Sequence, residues 1–440
     1  MRAKEFARAF SAVAAVGLAA GSASATWSIV MVDTRTGELA LGSATCRVDN
    51  DLQLRHPVLL VGRGIAAAQS TVDLTGLTRQ TILDGFILGT APADILAGLA
   101  AVDDLHEVRQ YGIIDSQGRT ASFTGSGTPV WRGGFTGRIE QGAPGPADDI
   151  VYAIQGNVLA GEAVVLAAQS AIISTSGDLA DRLLAGMMAA RLTGGDGRCS
   201  CGGANPTGCG TPPNPDPSTY KSAHIGYLMI SRAGDTDGPV SAETGFATGD
   251  YWLNENIAYK DWNDPDPVDL LAGRLDDWRA ASAGRADAAC STLPRSASLA
   301  AGTETTLLVD LQAYPGVPVT VPTTLNAIST DPGVLEVVSV TPTAGGYEVV
   351  VRGAGPGSAE LNFVATDAVG KPVVLMPCTA ITIGGLIADL NGDGILDLGD
   401  IGVFVNAFLS RDPLADVNND GVFDLGDIGA FVEAFLSEAT

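Results

Sequence analysis

The 440-residue chain is short of bases, histidines and aromatics: 25 Lys and Arg stand against 50 Asp and Glu, there are three His, and Phe, Trp and Tyr make up 6%. A net charge of -25 and a pI near 4.3 repel phosphate backbones and anionic lipid, so nucleic acid is excluded as a partner. With three histidines, a Ser-His-Asp arrangement has few ways to form. No segment after residue 25 holds 18 uninterrupted apolar residues, which leaves no membrane span in the mature chain. What is abundant is Gly (55) and a 46% hydrophobic content, enough for two to four domains and at least one large core.

The N-terminus reads as an export signal. Arg2, Lys4 and Arg8 form a basic region, residues 10–20 an apolar one too short to span a bilayer, and Ala23-Ser24-Ala25 a small-residue cleavage site. Cleavage after Ala25 removes three bases and one acid, takes the net charge to -27, and sends the protein to the cell envelope, the periplasm or the medium. Six cysteines fit an oxidising destination. Cys209 with either Cys199 or Cys201 is the expected disulfide, and a metal site of these three with His224 is the alternative. Cys290 and Cys378 are a second candidate pair.

Hydrophobic patterning divides the mature chain into three. Residues 26–289 mix strands and helices: a hairpin over 26–46 turning at Asp33 to Gly37, two helices over 78–102 with Thr90 as N-cap of the second, strands at 107–115, 119–125, 149–155 and 224–231, and a helix over 178–192. Grouped hairpins and grouped helices predict an α+β fold with an antiparallel sheet covered by helices. His56 and His106 read as surface or loop residues, and His224 as the start of a strand. Residues 290–385 carry six short β-rich segments between Gly- and Pro-containing turns and no helical stretch, which predicts an immunoglobulin-like β-sandwich.

Residues 386–440 hold 11 acids and one base and repeat with a period of 27. Asp389, Asn391, Asp393, Ile395, Asp397 and Asp400 are matched in register by Asp416, Asn418, Asp420, Val422, Asp424 and Asp427. Oxygen donors at loop positions 1, 3, 5, 9 and 12, a backbone carbonyl at 7 and Gly at 6 are what a hard cation needing six to eight oxygens demands, so the expected cofactor is two Ca²⁺ ions. Position 12 is Asp, not the usual Glu, and an apolar-faced helix follows each loop. These duplicated units resemble a type I dockerin. The resemblance implies a small α domain that docks onto a cohesin-like or cell-surface partner.

Thr26 becomes the first residue after cleavage. A free N-terminal Thr unites a hydroxyl nucleophile with an α-amine whose pKa of about 7.7–8 suits it as base. The opening TWSIVMVDTRTGELALGSATCR resembles the DUF1028 family, and so do Ala68-Gln69, DDLHEVRQYG at 103–112 with Asp115, Gly156-Asn157-Val-Leu-Ala-Gly161, LADRLL at 179–184, Gly194-Gly195-Asp196, and Asp264 to Val268. This family is assigned to the N-terminal-nucleophile (Ntn) hydrolases. The resemblance implies an αββα sandwich with Thr26 as nucleophile and base on a small amide, Asn157 as oxyanion donor, and Asp33 and Arg47 tuning the amine. The run Gly42 to Arg47 departs from the Asp-Ser-Arg and lysine of proteasome-like hydrolases, which argues against peptides as substrates. The competing expectation is a non-enzymatic surface or assembly protein that binds through the same fold.

Overall fold

The computed structural model describes residues 26–48, 50–129, 131–141, 149–201, 220–384, 388–391, 396–418 and 421–438. The expected signal at 1–25 and the ligand positions Asp393, Ile395 and Asp420 lie outside them.

The apolar hairpin forms as its alternation predicts. Strand β1 (Thr26–Asp33) pairs antiparallel with β2 (Glu38–Thr45), and the Asp33 carboxylate accepts the backbone N–H groups of Arg35 and Thr36 at 2.8 and 3.2 Å to close the turn. Strands β3 (Pro57–Leu60), β4 (Gly64–Ser70), β5 (Arg109–Asp115) and β6 (Thr120–Thr124) make a four-stranded antiparallel sheet. Residues 107 and 108, expected to begin a strand, instead end a 3₁₀ turn (His106–Val108) ahead of β5. Next come β7 (Arg132–Glu140), β8 (Asp149–Asn157), β9 (Ile225–Ser231), the short pair β10 (Thr236–Asp237) and β11 (Gly249–Asp250), and β12 (Leu253–Ile257). The six-stranded sheet runs β12-β9-β2-β1-β8-β7, so β1 is central.

Helices α1 (Leu77–Leu88) and α2 (Pro92–Val102) cover the smaller sheet; α3 (Ala163–Ser174), α4 (Leu179–Leu192) and α6 (Pro267–Ala281) cover the larger, and α5 (Gly197–Ser200) is one turn. Ala91, not Thr90, occupies the N-cap of α2, with Pro92 at the first helical position. Alternation along β1 fixes the layers. Trp27, Ile29 and Met31 pack on the helices, while Val30 and Val32 pack with Leu59, Ile65 and Ile114 of the other sheet. Two sheets thus lie face to face between two helix layers.

Strands β13 (Ser296–Ala300), β14 (Glu304–Asp310), β15 (Gln312–Ala313), β16 (Val317–Pro318), β17 (Thr323–Ser329), β18 (Leu335–Pro342), β19 (Gly346–Gly353), β20 (Gly357–Asp367) and β21 (Val373–Gly384) follow. The sheets β13-β21-β20-β17 and β14-β19-β18 share a core that includes Leu307, Val349, Leu361 and Phe363. Cys290 and Cys378 do not pair. Cys378 sits on β21 beside Glu360, and Cys290 sits beside Asp287 at the seam with the first unit, so both are free thiols. Across that seam Arg279 lies 3.5 Å over the Tyr314 ring, and the Tyr314 hydroxyl donates to Asp181 at 2.9 Å.

Helices α7 (Leu398–Ser410) and α8 (Leu425–Glu438) end the chain. Phe404 and Phe431, 27 residues apart, stack with centroids 4.2 Å apart and planes at 4°, so the repeat is a repeat in space as well.

Candidate functional site

Thr26 pairs with Asn157 of β8 on one side and, one step beyond the Trp27 to Ala44 pair, faces Thr45 on the other. In the chain that still carries residues 1–25 it is 2% exposed. The polar residues around it come from both sheets. Gln69 of β4 donates through Nε2 to the Thr26 carbonyl (2.9 Å) and to Gln110 Oε1 of β5 (2.7 Å). Its Oε1 accepts from Ser28 Oγ (2.7 Å) and contacts His56 Nε2 (2.9 Å), and His56 Nδ1 meets the Tyr227 hydroxyl in a short hydrogen bond. Gln155 donates to Ser28 at 2.6 Å, and Gln110 donates to Thr124 and to the Gly156 carbonyl. At the Thr26 end the two sheets are therefore joined by a polar lattice; farther along β1 they are joined by hydrocarbon.

None of Gln69, Gln110, Gln155, His56 and Tyr227 is among the site residues expected from sequence, although Gln69 and Gln110 fall in the quoted family matches and His56 was read as a surface or loop residue. His56 lies in the loop just ahead of β3, as expected, but is fully buried rather than at the surface. Burial drives its pKa down to about 4, against the Gln69 hydrogen bond, so the ring is neutral. His106 is half-buried and stacks on Phe123 at 4.0 Å.

Of the three residues expected around the Thr26 amine, the structure brings two close. Asn157 is adjacent and buried; its Nδ2 donates to Gln110 Oε1 at 3.2 Å while its Oδ1 has no partner. Arg47 is exposed two residues past the end of β2, at the Thr26 end. Asp33 stands at the opposite end of β1, seven strand steps or about 23 Å away, where it caps the turn.

The loop carrying Asp196 closes over this end. Asp196 is fully buried, accepts the Cys46 N–H at 2.7 Å and pairs with Arg198, whose Nη2 also donates to Thr45 Oγ1 at 3.2 Å. Cys199 is bonded to Cys46 across 153 residues, not to Cys209, which lies outside the described residues. Asp196 and its neighbours in α5 hold the two sulfurs together. His224 sits with both sulfurs within 4.8 Å, but sulfurs joined to each other are not thiolate ligands.

At the C-terminus, the Asp400 carboxylate accepts from Asn391 N (3.2 Å) and Asp397 N (3.0 Å), and Asp427 repeats this with Asn418 N (3.4 Å) and Asp424 N (3.0 Å). Both carboxylates are fully buried. Asp397 and Asp424 accept from Gly399 and Gly426, and Asp416 accepts from Gly421 at 2.9 Å. Asp389 and Val422 complete the described loop positions. In both repeats the Asp at position 12 thus folds the loop onto its helix.

Residues 26–204 match the DUF1028 family model, described as a family of unknown function. The stretch resembling DUF1028 contains β1, the polar lattice except Tyr227, the disulfide and Asp196. Among solved structures the chain is similar to protein SPO2555 of Silicibacter pomeroyi, also described as DUF1028, at 18% identity over 57% of this chain and 85% of that one, with a TM-score of 0.40. It is also similar to InvD of Yersinia pseudotuberculosis (11% identity, 63% of this chain, 53% of that one, TM-score 0.20) and to the Escherichia coli adhesin FdeC (10%, 82%, 97%, TM-score 0.17). No curated protein matches the sequence. Beyond the DUF1028 match, β9, β12 and α6 complete the larger sheet and its helix layer.

Proposed function

We propose that the protein is exported, that its first unit is an Ntn-type amidohydrolase acting on a small amide through Thr26, and that its tail is a Ca²⁺-loaded dockerin-like module. The position of Thr26 carries the first part: it heads the central strand of one of two face-to-face sheets, and its carbonyl is fixed by Gln69. Removal of residues 1–25 frees the α-amine. That amine takes the hydroxyl proton as Oγ attacks the substrate carbonyl, then returns it to the leaving amine, and water releases the acyl ester by the reverse sequence. The Asn157 amide, beside Thr26, is the side-chain donor to the oxyanion.

The test pairs N-terminal sequencing with turnover. The mature protein should begin Thr-Trp-Ser-Ile and hydrolyse a member of an amide panel, and Thr26→Ala should abolish that turnover. A different mature terminus, or turnover indifferent to Thr26→Ala, removes the hydrolase reading.

For the tail, buried Asp400 and Asp427 in register support two Ca²⁺ loops. Leu398, Val405 and Leu409 on α7, with Leu425, Val432 and Leu436 on α8, are exposed apolar side chains at matched positions and support docking onto a cohesin-like or surface protein. The second reading is a non-enzymatic surface or assembly protein that binds through the same fold. An unreactive mature protein that begins at Thr26 and still docks through its tail would be that protein.

A further inference from the structure

Beside Thr26 stands an arginine that sequence did not single out. Thr26 pairs with Asn157 of β8, and Asn157 pairs in turn with Arg132, the first residue of β7. The three lie side by side across the end of the larger sheet, two strand spacings or about 10 Å from first to last. They also share a face. Trp131, Phe135 and Ile139 pack on the helix layer, so Arg132, at the alternate position, is turned with Thr26, Ser28 and Asn157 toward the second sheet. Gln110 of that sheet ties the group together: its Oε1 accepts from Asn157, and its Nε2 donates to the carbonyl of Gly133, the residue after Arg132, at 3.3 Å. Val158, next after Asn157, is held at φ 53. A β-branched residue is strained there, and such strain collects at sites that bind or react.

Other arginines at this end have carboxylate partners. Arg198 pairs with buried Asp196 and Arg109 with Asp103, each at 2.7 Å. Arg132 does not. Its Nη1 donates to the Thr128 carbonyl, a neutral acceptor, and among the described residues no carboxylate lies within ion-pair distance of it. That one bond steadies the guanidinium and leaves the Nε and Nη2 edge without a partner among the described residues. A carboxylate is gripped on such an edge by two parallel hydrogen bonds. In a chain with 50 acids and 25 bases, a half-buried arginine beside the expected nucleophile and without an acid of its own is a site for an acid from outside.

We infer that Arg132 binds a carboxylate of the substrate, so that the amide cleaved at Thr26 belongs to a small acid, either an N-acyl amino acid or the side-chain amide of an amino acid. The inference rests on the hydrolase reading of Thr26 and adds the substrate's charge to it. The span of about 10 Å, less the reach of the arginine side chain, sets the carboxylate a few bonds from the scissile carbonyl. An acid is selected because its carboxylate neutralises Arg132, whereas a neutral amide covers that charge and leaves it unpaired. Mature full-length protein is given N-acetylalanine, N-acetylleucine, glutamine and asparagine, each beside its decarboxylated counterpart. Turnover is followed by amine or ammonia release, and binding to the mature Thr26→Ala protein by isothermal titration.

At least one acid should be cleaved, and also bound, at least tenfold better than its counterpart, and the two kinds of amide tell the two sources apart. Arg132→Gln should bring both ratios close to one with an unchanged melting temperature, through KM rather than kcat. Arg132→Lys, which keeps the charge and loses the fork, should restore part of the preference. Thr26-dependent turnover that ignores the carboxylate, or that is indifferent to Arg132→Gln, overturns the inference and leaves the hydrolase reading standing. Turnover that survives Thr26→Ala removes the hydrolase reading; acid binding that Arg132→Gln abolishes then still supports the site. Saturable binding by none of the acids overturns it.

Discussion

The side-chain amide of Gln69 donates to the carbonyl of Thr26 at 2.9 Å, across the space between two sheets. One glutamine on β4 thereby fixes the backbone of the residue that heads β1, while its oxygen serves Ser28 and His56. Gln69→Leu keeps the volume and takes a hydrogen-bond partner from four buried groups, the Thr26 carbonyl, Gln110, Ser28 and His56. Each unsatisfied buried group costs about 1–3 kcal/mol, so a loss of several kcal/mol is expected in chemical denaturation. Any Thr26-dependent turnover should fall at least tenfold under conditions where the variant remains folded. An unchanged denaturation midpoint would show that the lattice contributes nothing.

His56 makes stability depend on pH. Its folded pKa, near 4, lies below the value of 6.5 for a free imidazole, so the unfolded chain binds the extra proton between those pH values. Stability from the neutral ring is present above pH 6.5 and is lost as pH falls towards 4. The shift corresponds to about 3 kcal/mol. Glu38, which burial raises to about 7 despite Arg232, acts in the opposite direction, so the difference between wild type and His56→Gln is the quantity to measure. That difference should shrink between pH 7 and 4; a constant difference contradicts a neutral buried His56.

The Cys46–Cys199 bond closes a loop with a separation of 153 residues. Constraining so long a loop in the unfolded chain is worth on the order of 5 kcal/mol. Cys46→Ser combined with Cys199→Ser should lower the unfolding free energy by that order and the denaturation midpoint with it, and the doubly substituted protein should lose less on addition of reductant than wild type does. Equal midpoints for the two proteins would mean the bond adds no stability.

Calcium binding should be local to the tail. Isothermal titration of the mature protein should give two sites, and Asp400→Asn and Asp427→Asn one each. Chelation with EGTA should remove a calorimetric transition belonging to α7 and α8, whose Phe404–Phe431 stack needs both loops folded, and leave the main transition in place. A calorimetric trace unchanged by EGTA rules out the loops as a folding requirement.

Local signals were legible and distant ones were not. The hairpin at 26–46, helix α4 and the duplicated loops are written in neighbouring residues, by alternation, by the Asp178 cap and by a 27-residue register. Helix α3 has no such mark, because AVVLAAQSAIIS is apolar nearly all round and shows no stripe. The disulfide joins positions far apart in sequence, and nothing near Cys46 or Cys199 names the partner. Gln69 and Gln110 did leave a trace, as the single amides of the strands GIAAAQS and RQYGIID. Their meaning depended on a second sheet lying opposite, which no window of sequence contains.

Strand order places the similarity limit at 204 inside a folding unit. A fragment ending there would lack β9 and β12, leaving β2 with a bare row of amides and carbonyls beside Leu39 and Leu41. Such an unpaired margin invites another chain to add itself. Expression trials that respect the homology limit should aggregate, whereas those extended through Ala281 keep the margin capped.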